Sequence, residues 1–473
     1  MPGSQKRVIV VGGGPAGYNA ALTAARFGAA VTLVENDKPG GQCVHYACIP
    51  TSAMLSGIRA WVDVQELAVM GVVDASDAFA WPRLVSRKDS LVARMASGVQ
   101  SALRQAGVMI IAGGGSLVSA RVVTVSSRDG STSDLEGDAI VLATGSTWDP
   151  PELPGIAAGR IVSADVIHAL ATVPSSAVVL GGGPASTAFA VEQAFLLAAA
   201  GSAVTLVCPG PTVVPALDPD LDEAVTAALA TFGVTVLRNA AVSGERDGSL
   251  TVLAADRPGA IPAEHVARAD VILSADPRRA ALDQLGLVEA GVARTAGGDA
   301  IAVDRSGRTN VATIFAAGDV TGGAMLSSTA AADGIVAGWY AAGGPLPGPA
   351  RAFNAIPHVL HVVPEIAWIG VTEADARSES DHIGTALADL GWTARSITAG
   401  GREGIAKLVV DRSTRELLGL HIVGDGAAEL VAAAATAMQA ELSIDDVAAQ
   451  VHWHPSAAET LATLAADAVR DAN

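Results

Sequence analysis

The sequence predicts an α/β fold built on two copies of a strand–turn–helix–strand unit, and three observations carry that expectation. The stretch RVIVVGGGPAGYNAALTAARFGAAVTLVEN, residues 7–36, passes from an apolar run through three glycines into a helical pattern and back into an apolar run. The same order returns in AVVLGGGPASTAFAVEQAFLLAAAGSAVTLVCPG, residues 177–210, the internal repeat of this chain. At 473 residues, half of them apolar, the chain has material for about three domains of ~150 residues each.

In the first unit Val8–Val11 forms a buried strand. Gly12, Gly14 and Gly17 complete G-x-G-x-x-G, with Pro15 and Ala16 inside it. The first glycine permits the tight turn, the second lets a pyrophosphate approach the backbone, and the third lets helix and strand pack closely. The phosphate then lies on the helix N-terminus. Glu35 closes the second strand, where an acid binds a ribose hydroxyl. A bare glycine-rich turn would need neither the helix nor the acid, so the unit reads as a dinucleotide site. The second unit keeps its strand at Ala177–Leu180, its helix and its next strand. Its third glycine is Ser186, however, and its acid position is Cys208. A thiol cannot accept a ribose hydrogen bond as a carboxylate does. This unit therefore reads as a scaffold that disfavours NAD(P), with Cys208 a small buried residue.

Three cysteines do not make a disulfide scaffold. Two of them, Cys43 and Cys48, fall in GGQCVHYACIPTSAM, residues 40–54. In a regular helix, residues five apart have Cα atoms about 8–9 Å apart. A disulfide needs roughly 4.4–6.8 Å. A bond between them thus requires a distorted turn ahead of the helix proper; Gly40 and Gly41 loosen the chain there, and Pro50 suits a first helical turn. Strain eases reduction, and a helix N-terminus favours thiolate. Two other readings stand beside this one: unpaired thiols at a helix start, or zinc ligands together with His45, for which no further ligand cluster is evident. No metal site is expected. The pair follows Glu35 by a few residues, which puts it beside the reactive end of a bound dinucleotide.

Taken together these stretches resemble the flavoprotein disulfide reductases, the family of dihydrolipoamide dehydrogenase, glutathione reductase and mercuric reductase, over nearly the whole chain. The family pattern G-G-x-C-x4-C-I-P stands here as Gly40, Gly41, Gln42, Cys43 to Cys48, Ile49 and Pro50. VLATGSTWDPPELPG, residues 141–155, resembles the strand that leaves the FAD domain and contributes Thr144 and Gly145. TNVATIFAAGDV, residues 309–320, resembles the second FAD motif, with Gly318 and with Asp319 on the ribityl chain. Met325 and Leu326 follow, and the helix after GGAMLSSTAAADG should point its N-terminus at the flavin. PHVLHVVPEIAWIGVTE, residues 357–373, resembles the start of the dimerisation domain, and HWHPSAAET, residues 452–460, resembles H-x-H-P-T-x-x-E. Alone, HWH reads as a surface or core cluster.

The resemblance implies an α/β fold with two Rossmann-like dinucleotide-binding domains and a C-terminal α+β dimerisation domain. It implies FAD, a homodimer, a redox-active Cys43–Cys48 disulfide, and His454 with Glu459 as a base dyad serving the neighbouring subunit's flavin site. The chemistry is coherent: thiol–disulfide exchange needs a thiolate near neutral pH, an imidazole can take that proton, and a carboxylate behind it fixes the tautomer. The implied domains are 1–149 for the first part of the FAD domain, 150–276 for the degenerate NAD(P)-binding-like domain, 277–347 for the second FAD part and 348–473 for the interface. AAGGPLPGPARA, residues 341–352, reads as the linker.

Four departures from the family fall on the nicotinamide half. Ser52 stands where the lipoamide-type enzymes carry a lysine, and Ala188 where they carry the glutamate that pairs with it. Losing both is coherent, because one buried charge left alone is costly. Ser186 with Cys208 is the third departure, and Asp276 with Pro277, in place of a glycine–arginine turn, is the fourth. The flavin half keeps every element. The sequence therefore points to an FAD-dependent thiol/disulfide oxidoreductase that oxidises a dithiol or thiol with oxygen as acceptor. The alternatives are an NAD(P)H-dependent disulfide reductase of the dihydrolipoamide dehydrogenase kind and a flavoprotein adaptor for a larger biosynthetic enzyme. A net charge of −18 speaks against nucleic acid and anionic membranes as partners. Without a signal peptide or an apolar run of membrane-spanning length, the expectation is a cytoplasmic protein.

Overall fold

The computed structural model describes residues 5–74, 79–157, 159–181, 187–274, 278–346, 348–350, 355–400 and 402–470. The chain packs as two units, Met1–Met54 with Pro82–Asp149 and Arg278–Ala352, and Leu55–Trp81 with Pro150–Pro277 and Phe353–Asn473.

The first unit centres on a parallel five-stranded sheet in the order Ile314–Ala316, Ala139–Leu142, β1 (Arg7–Val11), β2 (Ala30–Glu35), Met109–Ala112. Val8 to Val11 are all buried, as expected of a strand covered on both faces. Alternate residues feed different cores: Val8, Val10, Leu33 and Val141 go to one side, and Ile9, Val11, Val34 and Ile140 to the other. On the first side lies α1 (Pro15–Arg26), whose buried residues are four alanines with Gly17 and Thr23. The Ser327–Ala342 helix packs directly on it. A Cβ added to Gly334 would lie 2.1 Å from the Ala16 carbonyl oxygen, and one on Gly338 would lie 2.4 Å from that of Ala20. Small residues on both helices thus let the two backbones nearly touch. At the turn, a Cβ on Gly17 would stand 1.8 Å from the Gly12 carbonyl oxygen, which excludes any other residue there.

The cysteine segment forms two helices. α2 (Gly41–His45) ends at Tyr46, whose φ and ψ of −132° and −23° break the helical path, and α3 (Cys48–Val69) begins at Cys48 itself. Pro50 falls in the first turn of α3. Ala341 and Ala342, read as the start of the linker, instead end the Ser327–Ala342 helix, and the chain leaves it at Gly343 in the left-handed conformation.

The second unit holds a parallel sheet in the order Thr235–Leu237, Ala203–Val207, Ser176–Leu180, Val271–Ser274, Ile161–Ser163. The repeat seen in the sequence thus becomes the same local topology. A separate antiparallel sheet of five strands, His358–Leu360, Ile366–Gly370, Glu416–Val423, Ile405–Asp411 and Ile383–Asp389, packs on the helices Ala427–Gln439 and Glu459–Arg470. Leu55–Trp81, assigned by sequence to the stretch 1–149, group with this second unit. Ion pairs fasten them there: Arg59 meets Glu365 at 2.6 Å, and Arg402 meets both Asp63 and Glu66. Among the described residues, no helix is long and apolar enough to cross a membrane.

Candidate active site

In the first unit the glycine turn and its surroundings form a cradle of bare backbone. Gly14 caps α1 with no side-chain hydrogen bond and no acid in the first turn, so the positive end of the helix is left open. Gly41 lies against it: a Cβ on Gly41 would be 2.6 Å from the Gly14 Cα. Glu35 is drawn onto the same turn, its Oε2 accepting from the Gly13 N–H at 2.5 Å and its Oε1 from Asp37 at 2.7 Å. The Ser327–Ala342 helix has a second uncapped N-terminus, at Leu326. Two open helix ends, a glycine cradle and a ribose-binding acid suit a dinucleotide with a pyrophosphate.

Asp319, in the turn Gly318–Thr321, accepts from the Ser146 hydroxyl at 2.6 Å. Arg278 donates to the same hydroxyl oxygen from Nε at 3.2 Å and Nη2 at 3.1 Å, and Nη2 also donates to Gln42 Oε1. Gln42 in turn donates to the Ser146 carbonyl at 3.2 Å. Gln42 thus sits in one network with Asp319, one residue before Cys43. The Thr144 hydroxyl donates to the Ala281 carbonyl at 2.9 Å.

The Cys43 and Cys48 sulfurs stand within hydrogen-bond reach of each other. The hydrogen bond from Cys43 is the largest influence on Cys48, and with it the Cys48 thiol falls to about 7 although burial pulls the other way. The Cys43 thiol is pushed up by the same bond and by burial. The open pair therefore carries its proton on Cys43 and its charge on Cys48, the first residue of α3, where the helix also favours thiolate. Ser327 Oγ lies 3.6 Å from Cys48 Sγ. Ser52 is exposed, one turn after Cys48 in α3.

In the second unit His454 and Glu459 meet. Nδ1 of His454 lies 3.0 Å from Oε1 and 3.2 Å from Oε2 of Glu459. Glu459 also accepts from the Ser456 N–H at 2.9 Å, the first cause holding its carboxyl below its ordinary value, with His454 next. The dyad is exposed, with 69% of the His454 side chain open, next to exposed Val451 and Trp453. At the end of Ala203–Val207, Cys208 is buried and packs toward Gly181, the first glycine of the second turn; burial pushes its thiol up to about 12. Ser186, Asp276, Pro277 and the side chain of Ala188 lie outside the described residues. Among the described residues no cluster of His, Cys, Asp and Glu is arranged to hold a metal, and His45 hydrogen-bonds the Pro39 carbonyl at 3.0 Å.

Sequence reasoning missed Ser146, Arg278 and Ser327. All three lie inside stretches it had singled out, directly after the A-T-G strand, after the degenerate turn, and after Met325 and Leu326.

Residues 6–334 match the family described as pyridine nucleotide-disulphide oxidoreductase, and residues 356–465 match its dimerisation domain. A dihydrolipoyl dehydrogenase of Chlorobaculum tepidum is 32% identical over 99% of this chain and 98% of its own length. Leghemoglobin reductase of Glycine max is 30% identical over 96% of this chain and 86% of its own. Among solved structures, the Cu(II) complex of the HOCl-induced flavoprotein disulfide reductase RclA from Escherichia coli superposes with a TM-score of 0.83 at 23% identity, covering 98% of this chain and 99% of that one. At that identity the likeness is one of fold. The chain belongs to the flavoprotein disulfide reductases, the pyridine nucleotide-disulphide oxidoreductase family. It is an FAD enzyme of that class acting on sulfur groups, and its C-terminal domain is the family's dimerisation domain.

Proposed function

We propose that this enzyme is an FAD-dependent dithiol oxidase, which takes two electrons and two protons from a dithiol, or from two thiols, and delivers them to molecular oxygen. The observation that carries the reading is Cys208. Where the first dinucleotide unit presents the Glu35 carboxylate to its glycine turn, the second presents a buried, protonated thiol. Losing a charged hydrogen bond to a ribose hydroxyl weakens binding by about 2 kcal/mol, or roughly 30-fold.

The residues that would hold FAD are Gly12, Gly14, Pro15, Ala16 and Gly17, Glu35, Gly41 and Gln42, Thr144 and Gly145, Gly318 and Asp319, and Met325 and Leu326. FAD supplies a two-electron relay between the sulfur pair and the acceptor, with oxygen ending as hydrogen peroxide. The chain's own groups act on the substrate side. A substrate thiol gives its proton to His454 of the neighbouring subunit, with Glu459 behind the ring. The thiolate attacks Cys43 Sγ, the Cys43–Cys48 bond breaks, and the electron pair leaves on Cys48. The second substrate sulfur attacks the first; the substrate disulfide forms, and Cys43 leaves and takes up a proton. The pair then holds two electrons and one proton, and the other proton is on His454.

The purified enzyme is mixed anaerobically with NADH, NADPH and dithiothreitol side by side, and oxygen is then admitted. The expected result is fast bleaching of the flavin by the dithiol, slow bleaching by either nicotinamide, and recovery of colour with one peroxide per turnover. Fast bleaching by NADH or NADPH favours instead an NAD(P)H-dependent disulfide reductase. That second reading is supported by the full-length likeness to dihydrolipoyl dehydrogenases. Cys43→Ser and Cys48→Ser variants that keep function in a pathway would point to an adaptor for a larger biosynthetic enzyme.

A further inference from the structure

We infer that the Ser327 hydroxyl is a positioning residue for the Cys48 thiolate, donating a hydrogen bond to Sγ when the pair is open and so setting how readily the pair opens. The inference rests on the reading of Cys43 and Cys48 as the redox pair. Its ground is geometric. Cys48 heads α3 and Ser327 heads the Ser327–Ala342 helix, so two helix N-termini meet at one sulfur, and the Oγ–Sγ separation is 3.6 Å. Serine at a helix start ordinarily caps the backbone. Here the cap position is Leu326, no side chain caps the helix, and the Ser327 oxygen instead accepts from the protonated Cys48 thiol, a contact whose direction reverses once the sulfur is a thiolate.

The groups around Cys48 leave that role open to Ser327. Cys43, on α2, donates one hydrogen bond and retains its proton. Tyr18, on α1, stays neutral, its hydroxyl pushed up by burial and by the nearby sulfurs. Asp319 opposes the thiolate by like charge, and its carboxylate is already held by Ser146. Ser327 reaches both sulfurs of the pair, and a neutral donor there strengthens the Cys48 thiolate without adding a charge beside the flavin site. Opening the disulfide takes up two electrons, with two protons when Cys48 is protonated and one when it is not. The midpoint potential of the pair therefore falls with pH on a line whose slope halves at the Cys48 pKa.

The test follows that line. Holoenzyme is equilibrated anaerobically with dithiothreitol redox buffers between pH 5 and pH 9, roughly spanning the thiol range. It is quenched in acid, and the open pair is counted by maleimide mass shift. Wild type should bend near pH 7, and Ser327→Ala should bend on the order of one pH unit higher. Ser327→Thr, which restores the hydroxyl, and Ser328→Ala, which alters the exposed neighbour in the same turn, should both bend as wild type does. Equal bends in wild type and Ser327→Ala overturn the inference while leaving the redox pair intact. A wild-type pair that stays open in every buffer removes the redox reading and the inference together.

Discussion

Cys48 shows how the state of one atom follows from opposed forces. Burial raises its thiol; the Cys43 hydrogen bond, the Ser327 hydroxyl and the helix start lower it, and lowering wins, to about 7. The open pair therefore ionises at Cys48 rather than at Cys43, and its lower-pKa sulfur is the better leaving group. Cys48→Ser should keep its yellow colour yet lose dithiol turnover by about 10³-fold or more, measured by stopped-flow bleaching at constant flavin content. Ser146→Ala should strip Asp319 of its hydroxyl donor and lower stability by about 1–3 kcal/mol, read from the urea midpoint. His454→Gln should slow thiol oxidation by about 10²–10⁴-fold. Glu459→Gln, which keeps a partner for the ring, should cost less, and steady-state rates compare the two. The nearness of Cys43 to Cys48, of Glu35 to its glycine turn and of His454 to Glu459 was legible because each lies in a short motif with its own chemical logic, whereas Asp319 was singled out only through the family resemblance. Ser327 was not, since a serine after a loop reads as an ordinary helix start.

At the scale of elements, local sequence carried most of the information. Apolar runs of four or five residues became the buried parallel strands, and the glycine spacing fell where helix and strand come closest. Gly17→Val should yield protein without flavin, because its Cβ would overlap the Gly12 carbonyl at 1.8 Å; the ratio of visible to ultraviolet absorbance measures it. Gly334→Ala should destabilise by ~1–3 kcal/mol through overpacking against Ala16, with thermal melting as the measure. The break between α2 and α3 was foreseeable from the reach of a disulfide, which no straight helix satisfies at that spacing. The grouping of Leu55–Trp81 was not, because it depends on Arg59 and Arg402 finding carboxylates that only the fold brings near.

For the whole molecule, the proposed exchange of the dyad between subunits has a direct test. Cys43→Ser is expected to be inactive and His454→Gln to keep about 1% of wild-type turnover or less. Co-expressed in equal amounts, they should recover about a quarter of wild-type turnover, since half the dimers are mixed and one site of each mixed dimer is intact. No recovery would mean that each chain uses its own dyad.

The sequence by itself determined the repeated dinucleotide unit, the flavin motifs, the cysteine pair and the histidine–glutamate dyad, because each is a matter of residue types at short spacing. Only the tertiary structure decided that Ser146 supports Asp319 across 173 positions, that Arg278 reaches Gln42 across 236, and that Ser327 meets Cys48 across 279. Contacts at such separations leave no periodic trace in the chain. They arise when distant strands and helices share one core, which is a property of packing rather than of any segment.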